Sequence, residues 1–305
     1  LMRVGDRQSW LPLDTPGAVR RFLLRTRPAI GVLMETEIWP NLLHGAQQRG
    51  VTMVLANARL SERSARRGQR LAALMRPAAA TVVDVLAQTE DDARRLRAAG
   101  APRVMVAGNL KFDVRPSPAL LARGKRWHAA LGRPVVLAAI TREGEEAELM
   151  REWARVPSPR PFLIVVPRHP QRFDEVEALL TAGGLRVARR SAWGETPPDA
   201  ALKVDAWLGD SLGEMPQYYA SSDVALLGGS FMALGGHNLI EAAACGCPIV
   251  MGPSTFNFAE AAKHATLAGA AWQEPDMAHA LRRALQVIGS EQRELASQRA
   301  LAFAG

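Results

Sequence analysis

A glycine-rich segment in the last third of the chain has residue types that suit nucleotide binding. Two glycine pairs, Gly228-Gly229 and Gly235-Gly236, separate an apolar strand pattern, Val224 to Leu227, from a helical pattern. Because glycine lets the backbone approach a ligand closely and a helix N-terminus carries partial positive charge, we expect backbone N–H groups here to face an anion. Glu241 lies three residues after Asn238 on the same helical face, where a carboxylate can accept both hydroxyls of a ribose. The alternative is an ordinary strand-to-helix turn, since the spacing is not G-x-G-x-x-G.

These residues belong to an alternation of strand and helix patterns. A second apolar run, Pro248 to Met251, follows the tight turn at Gly246 and predicts a closed βαβ unit. Ser61 is predicted to cap a long basic helix that reaches Met75, and the helix of the glycine segment is predicted to run from His237 to Ala244. Further strands are predicted at Ala29–Met34, Thr52–Asn57, Val82–Ala87, Val104–Val106, Pro134–Ala139, Phe162–Val166, Leu185–Ala188 and around Val204–Trp207. This alternation predicts an α/β fold with mostly parallel sheets.

The chain divides into two similar halves. The segment Asp113 to Pro118 contains two prolines and is interpreted as a linker, so we expect one domain at residues 1–115 and a second at 116–305. Ligands of such sheets bind beyond the carboxyl ends of the strands, and two facing edges would form a cleft. The polar residues predicted at those ends are Glu35, Glu37, Arg59, Lys111, Arg142, Arg168, His169, Glu214, Asn238 and Glu241.

The net charge of +8 is concentrated in the first domain. Residues 1–113 contain 18 Lys and Arg against 10 Asp and Glu, whereas residues 114–305 contain 20 of each sign. A basic half indicates an acidic partner, such as nucleic acid, a phosphorylated substrate or an anionic membrane surface. Aromatic residues make up 6% of the chain and do not alternate with basic ones, which disfavours a nucleic-acid groove. No apolar run approaches the length of a membrane span.

Six motifs give the sequence a specific resemblance that covers nearly the whole chain. In order they are METEIWPN (34–41), NARLSERS (57–64), GNLKFD (108–113), PRHPQRF (167–173), GDSLGEM (209–215) and GGSFMALGGHNLIEAAACGCPIVMGPSTFNF (228–258). In this set and order they resemble bacterial 3-deoxy-D-manno-octulosonic acid (Kdo) transferases. The resemblance implies a GT-B glycosyltransferase with two Rossmann-like domains facing across a cleft. It also implies transfer of Kdo from CMP-Kdo to a lipid A precursor (lipid IVA) in lipopolysaccharide biosynthesis, with inversion of the anomeric centre and without a metal or cofactor.

The same resemblance assigns the donor to the second domain. Arg168 and His169 follow a strand and are expected to contact the base or phosphate of CMP. The remaining donor contacts are expected from Leu212, Gly213, Glu214, Asn238, Leu239, Ile240 and Glu241. Arg142 stands where the family commonly has histidine.

The first domain is expected to hold the acceptor. By resemblance, Glu35 and Lys111 are transition-state stabilisers, with Lys111 offsetting negative charge on the departing CMP or on the Kdo carboxylate. Arginines recur at helical spacing at positions 63, 66, 67 and 70. They form either a solvated face or a docking surface for lipid phosphates and the inner leaflet. The expected location is the cytoplasmic face of the bacterial inner membrane, peripheral or anchored by a segment outside this chain.

The family's general base is a glutamate in a motif of the type S-V-G-E, upstream of METEIWPN. The 34 residues before Glu35 contain no glutamate, and their carboxylates are Asp6 and Asp14. We therefore expect an incomplete first domain, with the base upstream of Leu1 and with negligible transfer by this chain alone.

Two other functions fit parts of the pattern. A GT-B enzyme that uses another nucleotide sugar, such as a UDP-sugar transferase or epimerase, would share the fold and the ribose-binding glutamate. A non-catalytic anion-binding protein would need only the basic half. The nucleotide that protects the protein against heat unfolding distinguishes the first alternative, and specific nucleotide binding by the second half argues against the second.

Overall fold

The computed structural model describes residues 5–110, 113, 115–290 and 292–305. Lys111 lies outside these described residues. The chain forms two compact units, Leu1–Asp113 and Val114–Gly305. Each contains one parallel β-sheet with helices packed on it, which confirms the α/β fold predicted from the sequence.

The described residues of the first unit form a four-stranded sheet in the order β1-β2-β3-β4. Its strands are β1 (Ile30–Met34), β2 (Thr52–Ala58), β3 (Asp84–Ala87) and β4 (Val104–Val106). Its helices are α1 (Pro16–Thr26), α2 (Pro40–Gln47), α3 (Glu62–Gln69), α4 (Ala72–Ala80) and α5 (Glu90–Ala98). All neighbouring strands are parallel, as the β/α alternation predicts.

The core of the first unit lies on one face of its sheet. Leu55 of β2 and Val85 of β3 point into this core, together with Leu43 of α2 and Leu96 of α5. The alternate residues of β1 point the other way, and the side chain of Val32 is 55% exposed. Parallel sheets usually have both faces covered. In this unit, by contrast, the apolar side chains on the second face of β1 are exposed.

The prediction of one long basic helix from Ser61 to Met75 is wrong in one respect. Ser61 caps α3, since its side chain accepts a hydrogen bond from the backbone N–H of Ser64 at 3.2 Å. However, α3 ends at Gln69, and Leu71 has φ −114° and ψ 27° before α4 begins. Gly68, in the last turn of α3, weakens the helix there, because glycine is about 1 kcal/mol less favourable than alanine inside a helix. The arginines and the following apolar segment therefore belong to two separate helices.

The described residues of the second unit form a seven-stranded parallel sheet in the order β11-β10-β9-β5-β6-β8-β7. Its strands are β5 (Val135–Thr141), β6 (Phe162–Pro167), β7 (Val187–Arg189), β8 (Ala206–Leu208), β9 (Val224–Leu227), β10 (Ile249–Met251) and β11 (Ala271–Gln273). Its helices are α6 (Pro118–Leu131), α7 (Glu145–Trp153), α8 (Phe173–Ala182), α9 (Asp199–Leu202), α10 (Met215–Ala220), α11 (Leu239–Ala244), α12 (Ala259–Leu267), α13 (Met277–Ile288) and α14 (Gln292–Ala304).

The strand order of the second unit reverses between β5 and β9. From β5 the chain builds the sheet outward through β6, and it then returns to place β9 on the other side of β5. The strands β6 and β9 are buried along their whole length, which fits their continuous apolar sequences. In open α/β sheets, ligands bind in the crevice at such a switch point. The loops after β5 and β9 border this crevice.

Candidate functional site

The loop after β9 is fixed by a buried carboxylate from the neighbouring β5–α7 connection. Glu145 is fully buried, and its two carboxylate oxygens accept hydrogen bonds from the backbone N–H groups of Gly229 at 2.8 Å and Phe231 at 3.0 Å. One of these oxygens also accepts from the backbone N–H of Arg142 at 2.9 Å. Burial raises the pKa of Glu145, and these three donors oppose that effect. The two loops at the switch point are thus joined as one body.

The glycine N–H groups are already satisfied within the protein, so the expectation that they face an anion is wrong. Gly228 donates to the carbonyl of Ala139, and Gly236 donates to the carbonyl of Gly229, each at 2.8 Å. Gly229 donates to Glu145, and Gly235 donates to the side chain of Ser254 at 2.9 Å. The glycines instead permit close packing, because a Cβ on Gly228 would lie 2.4 Å from the carbonyl oxygen of Ile140.

That contact coincides with an unusual backbone conformation at the end of β5. Ile140 has φ +57°, in the left-handed region that β-branched residues avoid. The pairing of β5 with β6 shifts register at the same place. Such strain costs about 1–3 kcal/mol and is held by the surrounding structure. The geometry of the β5–α7 loop is therefore imposed by packing against the loop after β9.

A second buried carboxylate fixes the loop after β6, which contains the predicted residues Arg168 and His169. Glu146 accepts a hydrogen bond from the Thr141 hydroxyl at 2.7 Å and forms a two-bond ion pair with Arg172. The backbone N–H of Arg168 donates to the carbonyl of Thr141 at 3.0 Å. Neighbouring glutamates thus hold the loops after β6 and β9 against the β5–α7 loop. The sequence reasoning missed both glutamates, although their position at the start of a helix after a polar loop was a usable signal.

His237 follows the second glycine pair in the loop after β9 and was also missed as a site residue. Its Nε2 atom is buried and has no hydrogen-bond partner among the described residues. Burial is the main cause that lowers the pKa of His237 to about 4, and nearby positive charge, chiefly that of Arg168 and Arg142, contributes to the same shift. A buried polar atom without a partner calls for an explanation, such as an unfilled functional role. The surrounding charges make an anionic group the complementary ligand.

The helix after the glycine loop begins later than predicted, at Leu239, and Asn238 is its N-cap. The Asn238 Oδ1 atom accepts a hydrogen bond from the backbone N–H of Ile240 at 3.1 Å. The side chains of Leu239 and Ile240 are buried in the core. Their side chains are therefore not available to a ligand, and the backbone N–H of Ile240 is already bonded to the Asn238 cap. Glu241 is partly exposed, and burial raises its pKa. Its carboxylate is thus partly desolvated at this helix end.

The predicted residue Glu214 is bound to other parts of the second unit. Its carboxylate forms ion pairs with Arg190 at 2.9 Å and Arg123 at 3.5 Å. The neighbouring Leu212 is 76% exposed, and Gly213 has φ +79°. These ion pairs of Glu214 stabilise the loop between β8 and α10. Leu212 and Gly213 are the exposed part of that loop.

The predicted catalytic glutamate of the first unit follows β1. Glu35 is exposed and has φ +56°, with its backbone N–H donating to Ala56 at 3.0 Å and its carbonyl accepting from Arg59 at 3.3 Å. The neighbouring Glu37 accepts a hydrogen bond from Trp39 at 2.5 Å. The left-handed backbone of Glu35 and its hydrogen bonds to Ala56 of β2 and to Arg59 directly after β2 hold it at the carboxyl end of the sheet.

The loop that leads to Lys111 is attached to the end of β2. Asn57 is buried, has φ +50°, and accepts a hydrogen bond at its Oδ1 atom from the backbone N–H of Leu110 at 3.1 Å. Its carbonyl accepts from Gln88 at 2.9 Å. Asn57 thereby joins the ends of β2 and β3 to the loop after β4. Lys111 itself is outside the described residues.

The predicted residues therefore form two groups, one in each unit. At the β5, β6 and β9 ends of the second unit the structure brings together Arg142, Arg168, His169 and His237. In the first unit, Glu35 and Arg59 lie together at the ends of β1 and β2.

Comparisons with known proteins identify the family. The sequence model of the family described as 3-deoxy-D-manno-octulosonic-acid transferase (kdotransferase) matches residues 1–114. The 3-deoxy-D-manno-octulosonic acid transferase of Bordetella pertussis is 50% identical over 299 residues, which cover 96% of this chain and 69% of that protein.

Solved structures match both the second unit and the overall fold. The C-terminal CMP-Kdo binding domain of WaaA from Acinetobacter baumannii is 30% identical, with a TM-score of 0.56 over 61% of this chain and 98% of that domain. UDP-GlcNAc 2-epimerase from Neisseria meningitidis bound to UDP-GlcNAc has a TM-score of 0.56 at 17% identity, over 95% of this chain and 77% of that one. At that identity the second likeness concerns the fold alone.

Proposed function

Because this chain belongs to the 3-deoxy-D-manno-octulosonic acid transferase family, we propose that it transfers Kdo from CMP-Kdo to a lipid A precursor, lipid IVA, with inversion at the anomeric carbon. The second unit binds the donor, and the first unit binds the acceptor. The observation that carries the proposal is the convergence of Arg142, Arg168, His169 and the unpaired His237 on the loops after β5, β6 and β9, at the switch point of the second sheet.

This group suits the charge of the donor. CMP-Kdo carries a phosphate and a sugar carboxylate, and both need cationic partners when they leave water. In the transfer, the acceptor hydroxyl gives its proton to a general base while its oxygen forms a bond to the anomeric carbon of Kdo, and the bond from that carbon to the phosphate oxygen breaks to release CMP. Negative charge then grows on the departing phosphate. Positive side chains already in place stabilise that charge without reorganising, which lowers the barrier.

The remaining donor contacts follow from the fixed loops. Glu241 accepts the ribose hydroxyls, since its carboxylate is partly buried at the end of the glycine loop. Leu212 and Gly213 form the exposed part of the loop that Glu214 holds in place. The backbone of Asn238 and Leu239 completes the contact, and the hydrogen bond from the Ile240 N–H to Asn238 holds the start of the helix in place.

Glu35 and Lys111 are the proposed transition-state stabilisers of the first unit. The αL backbone of Glu35 and its hydrogen bonds to β2 support a fixed catalytic position. Lys111 follows Leu110, whose backbone is bonded to Asn57. A lysine ammonium placed against the departing CMP or the Kdo carboxylate would offset the negative charge there.

The proposed acceptor resides in a membrane, and the first unit carries the excess positive charge of the chain. We therefore expect an anionic membrane surface to be a partner of this unit. A recess of about 340 Å³ is lined by Glu62, Arg63, Arg66 and Arg67 of α3 and by Arg70 directly after it. These arginines support the proposal that the protein acts at the cytoplasmic face of the inner membrane, where anionic lipids are available to them. Among the residues that the structure describes, no helix combines the length and apolar character needed to cross a bilayer.

Glu241→Ala tests the donor site. Charge-assisted hydrogen bonds contribute roughly 1.5–3 kcal/mol each, so loss of the carboxylate should weaken CMP binding at least about tenfold in isothermal titration. Glu260→Ala is the matched control, because Glu260 is exposed on α12. Equal CMP affinity of wild type and Glu241→Ala would show that Glu241 does not hold the ribose.

A comparison of nucleotides tests the donor's identity. A ligand at about 100 times its Kd stabilises the folded protein by roughly 2.7 kcal/mol, which raises Tm. We expect CMP to raise Tm more than UDP at equal concentration. Greater protection by UDP would favour an enzyme that uses a UDP-sugar.

A further inference from the structure

The loop after β6 contains two arginines and a histidine whose surroundings differ. Arg168 is exposed and has no ion pair within the part of the chain that the structure describes. His169 is half-buried in the same loop. Arg172, by contrast, is only 12% exposed and forms ion pairs with two carboxylates, Glu146 and Glu175. The motif PRHPQRF therefore contains one arginine whose charge is free and one whose charge is compensated within the protein.

The ion pair of Arg172 with Glu146 joins the loop after β6 to the start of α7. Two guanidinium N–H groups of Arg172 donate to the two oxygens of Glu146, at 2.8 and 3.2 Å. Such a two-bond pair fixes the orientation of the guanidinium as well as its distance. The carboxylate of Glu146 is buried, and a buried pair that loses one partner leaves a desolvated charge behind. The geometry of this pair is therefore firmly held.

Three further hydrogen bonds connect the pair to the backbone of Arg168 and His169. The Thr141 hydroxyl donates to Glu146 at 2.7 Å, and the Thr141 carbonyl accepts from the backbone N–H of Arg168 at 3.0 Å. On the other side, the backbone N–H of Arg172 donates to the His169 carbonyl at 3.0 Å, within a 3₁₀ turn. These contacts form a closed ring, and the ring holds the backbone of Arg168 and His169 in one position.

A fixed backbone matters most for side chains that bind a charged ligand. An arginine loses conformational entropy when a ligand immobilises it, and a backbone that is already in place lowers that cost. Positive charge stabilises a departing phosphate best when it need not reorganise. Displacement of a catalytic or binding group by about 1 Å can cost about a hundredfold in rate. The ring of contacts through Arg172 therefore supplies what Arg168 needs in order to bind an anion well.

We propose that Arg172 is a positioning residue of the donor site, which acts through Glu146 and Thr141 to hold Arg168 and His169 at the donor phosphate and does not itself contact the donor. The phosphate as the ligand of this loop rests on the function proposed above. The two arginines of one motif thus have different roles, one at the ligand and one behind the loop.

Glu146→Gln distinguishes positioning from direct binding by the sign of its effect. If Arg172 bound the phosphate directly, removal of the carboxylate that compensates its charge would leave CMP affinity unchanged or raise it. For a positioning residue, the same substitution releases the loop and weakens CMP binding about tenfold, the equivalent of one charge-assisted contact. Isothermal titration of the full chain with CMP measures this effect. CMP affinity equal to or above that of wild type would overturn the proposal.

Cytidine, which lacks the phosphate, locates the effect. We expect Glu146→Gln to bind cytidine with the affinity of wild type, because the ring of contacts holds the residues at the phosphate. An equal loss for cytidine and CMP would place the effect away from the phosphate and contradict the assigned role.

Arg172→Lys gives a second test that keeps the positive charge and removes the two-bond geometry. We expect it to lose nearly as much CMP affinity as Arg172→Gln. Full CMP affinity with lysine would show that charge alone matters at this position, and the positioning role would be wrong. This comparison remains decisive if Glu146→Gln lowers Tm so far that it is unfolded at the temperature of the titration.

The double variant Glu146→Gln/Arg172→Gln tests whether both side chains act through one contact. Each single substitution breaks the same ion pair, so their effects on CMP affinity should not add. The double variant should bind CMP no more weakly than the weaker single variant. Additive losses would show two independent contributions, which the proposal excludes.

Glu175→Gln is the matched control, because Glu175 is the other carboxylate partner of Arg172 and its side chain is 61% exposed. Exposed ion pairs contribute little, so this variant should keep the CMP affinity of wild type. A loss as large as that of Glu146→Gln would show that binding follows the overall charge around Arg172 and would refute the route through Glu146. Failure of wild type to bind CMP would overturn the proposed function as well, whereas normal binding by wild type and by Glu146→Gln overturns the positioning role alone.

Discussion

The carboxylate of Glu145 accepts a hydrogen bond from the backbone N–H of Gly229, a residue 84 positions later in the chain, at 2.8 Å. This bond connects the β5–α7 loop to the loop after β9, across the point where the strand order reverses. The same side chain also accepts from Phe231 and Arg142. One buried carboxylate therefore sets the relative position of two of the three loops that border the proposed donor site.

Glu145→Gln should disturb the donor site without contact to the donor. A glutamine has one acceptor oxygen in place of two, so at least one of the buried N–H groups loses its partner, at a cost of about 1–3 kcal/mol. We expect lower stability in urea unfolding and CMP binding weakened about tenfold, because the glycine loop is no longer fixed. Glu148→Gln on α7 is the control, and it should match wild type. Unchanged CMP affinity of Glu145→Gln would show that the loop keeps its position by other contacts.

The same bond shows where sequence reasoning reaches its limit. The strand β9 was predicted with the bounds it has, because its apolar run ends at a glycine pair. The acceptors of the glycine N–H groups were predicted wrongly, since these groups donate to Glu145, Ala139 and Ser254 in other parts of the fold. Local spacing indicates which residues form a loop, whereas long-range hydrogen bonds decide which way the loop's donors point.

His237 should make stability depend on pH in a defined window. Its pKa is lowered to about 4 in the folded protein, mainly by burial, against about 6.5 in the unfolded chain. Between these values the unfolded state binds more protons, so the stability contributed by neutral His237 is complete above about pH 6.5 and is lost as pH falls toward 4. Burial raises the pKa of Glu145 and Glu241, and these groups act in the opposite direction.

The contribution of His237 is isolated by comparing how steeply Tm changes with pH in wild type and in a variant without this histidine. Tm of wild type should decrease more steeply from pH 7 to pH 4.5 than Tm of His237→Gln, which has no titrating group at this position. The two glutamates remain in both proteins and cancel in the comparison. His264→Gln, at an exposed position on α12, should keep the wild-type slope. Parallel curves for wild type and His237→Gln would show that His237 titrates normally.

Asn57 combines a left-handed backbone with a buried acceptor, and two substitutions separate these roles. Asn57→Gly keeps the backbone conformation but removes the acceptor of the Leu110 N–H, at a cost of about 1–3 kcal/mol. Asn57→Ala loses the same bond and adds roughly 1–2 kcal/mol for a side chain in the αL region. We expect stability in urea to decrease in the order wild type, Asn57→Gly, Asn57→Ala, with faster amide exchange at Leu110 in both variants. Protection of Leu110 in Asn57→Gly equal to that of wild type would contradict the assigned bond.

The arginine face of α3 should direct the first unit to anionic lipid surfaces. Arg66 has one long ion pair, 3.8 Å to Glu62, and both side chains are about three-quarters exposed. Such exposed pairs contribute about 0–1 kcal/mol, so they leave the arginine charge available to lipid phosphates. We expect sedimentation with phosphatidylglycerol vesicles, little binding to phosphatidylcholine vesicles, and a decrease as ionic strength rises to 0.15 M, where the screening length is about 8 Å.

Charge reversal on α3 tests whether this face is responsible. Arg63→Glu, Arg66→Glu and Arg70→Glu together should abolish vesicle binding, because three cations become anions within one helical face. The control is the triple reversal of Arg20, Arg21 and Arg25 on α1, which changes the net charge of the same unit equally. If both triple variants lose binding to the same degree, attraction depends on overall charge rather than on α3. If the α3 variant sediments as wild type does, its arginines form a solvated face, and the membrane assignment fails while the CMP site is unaffected.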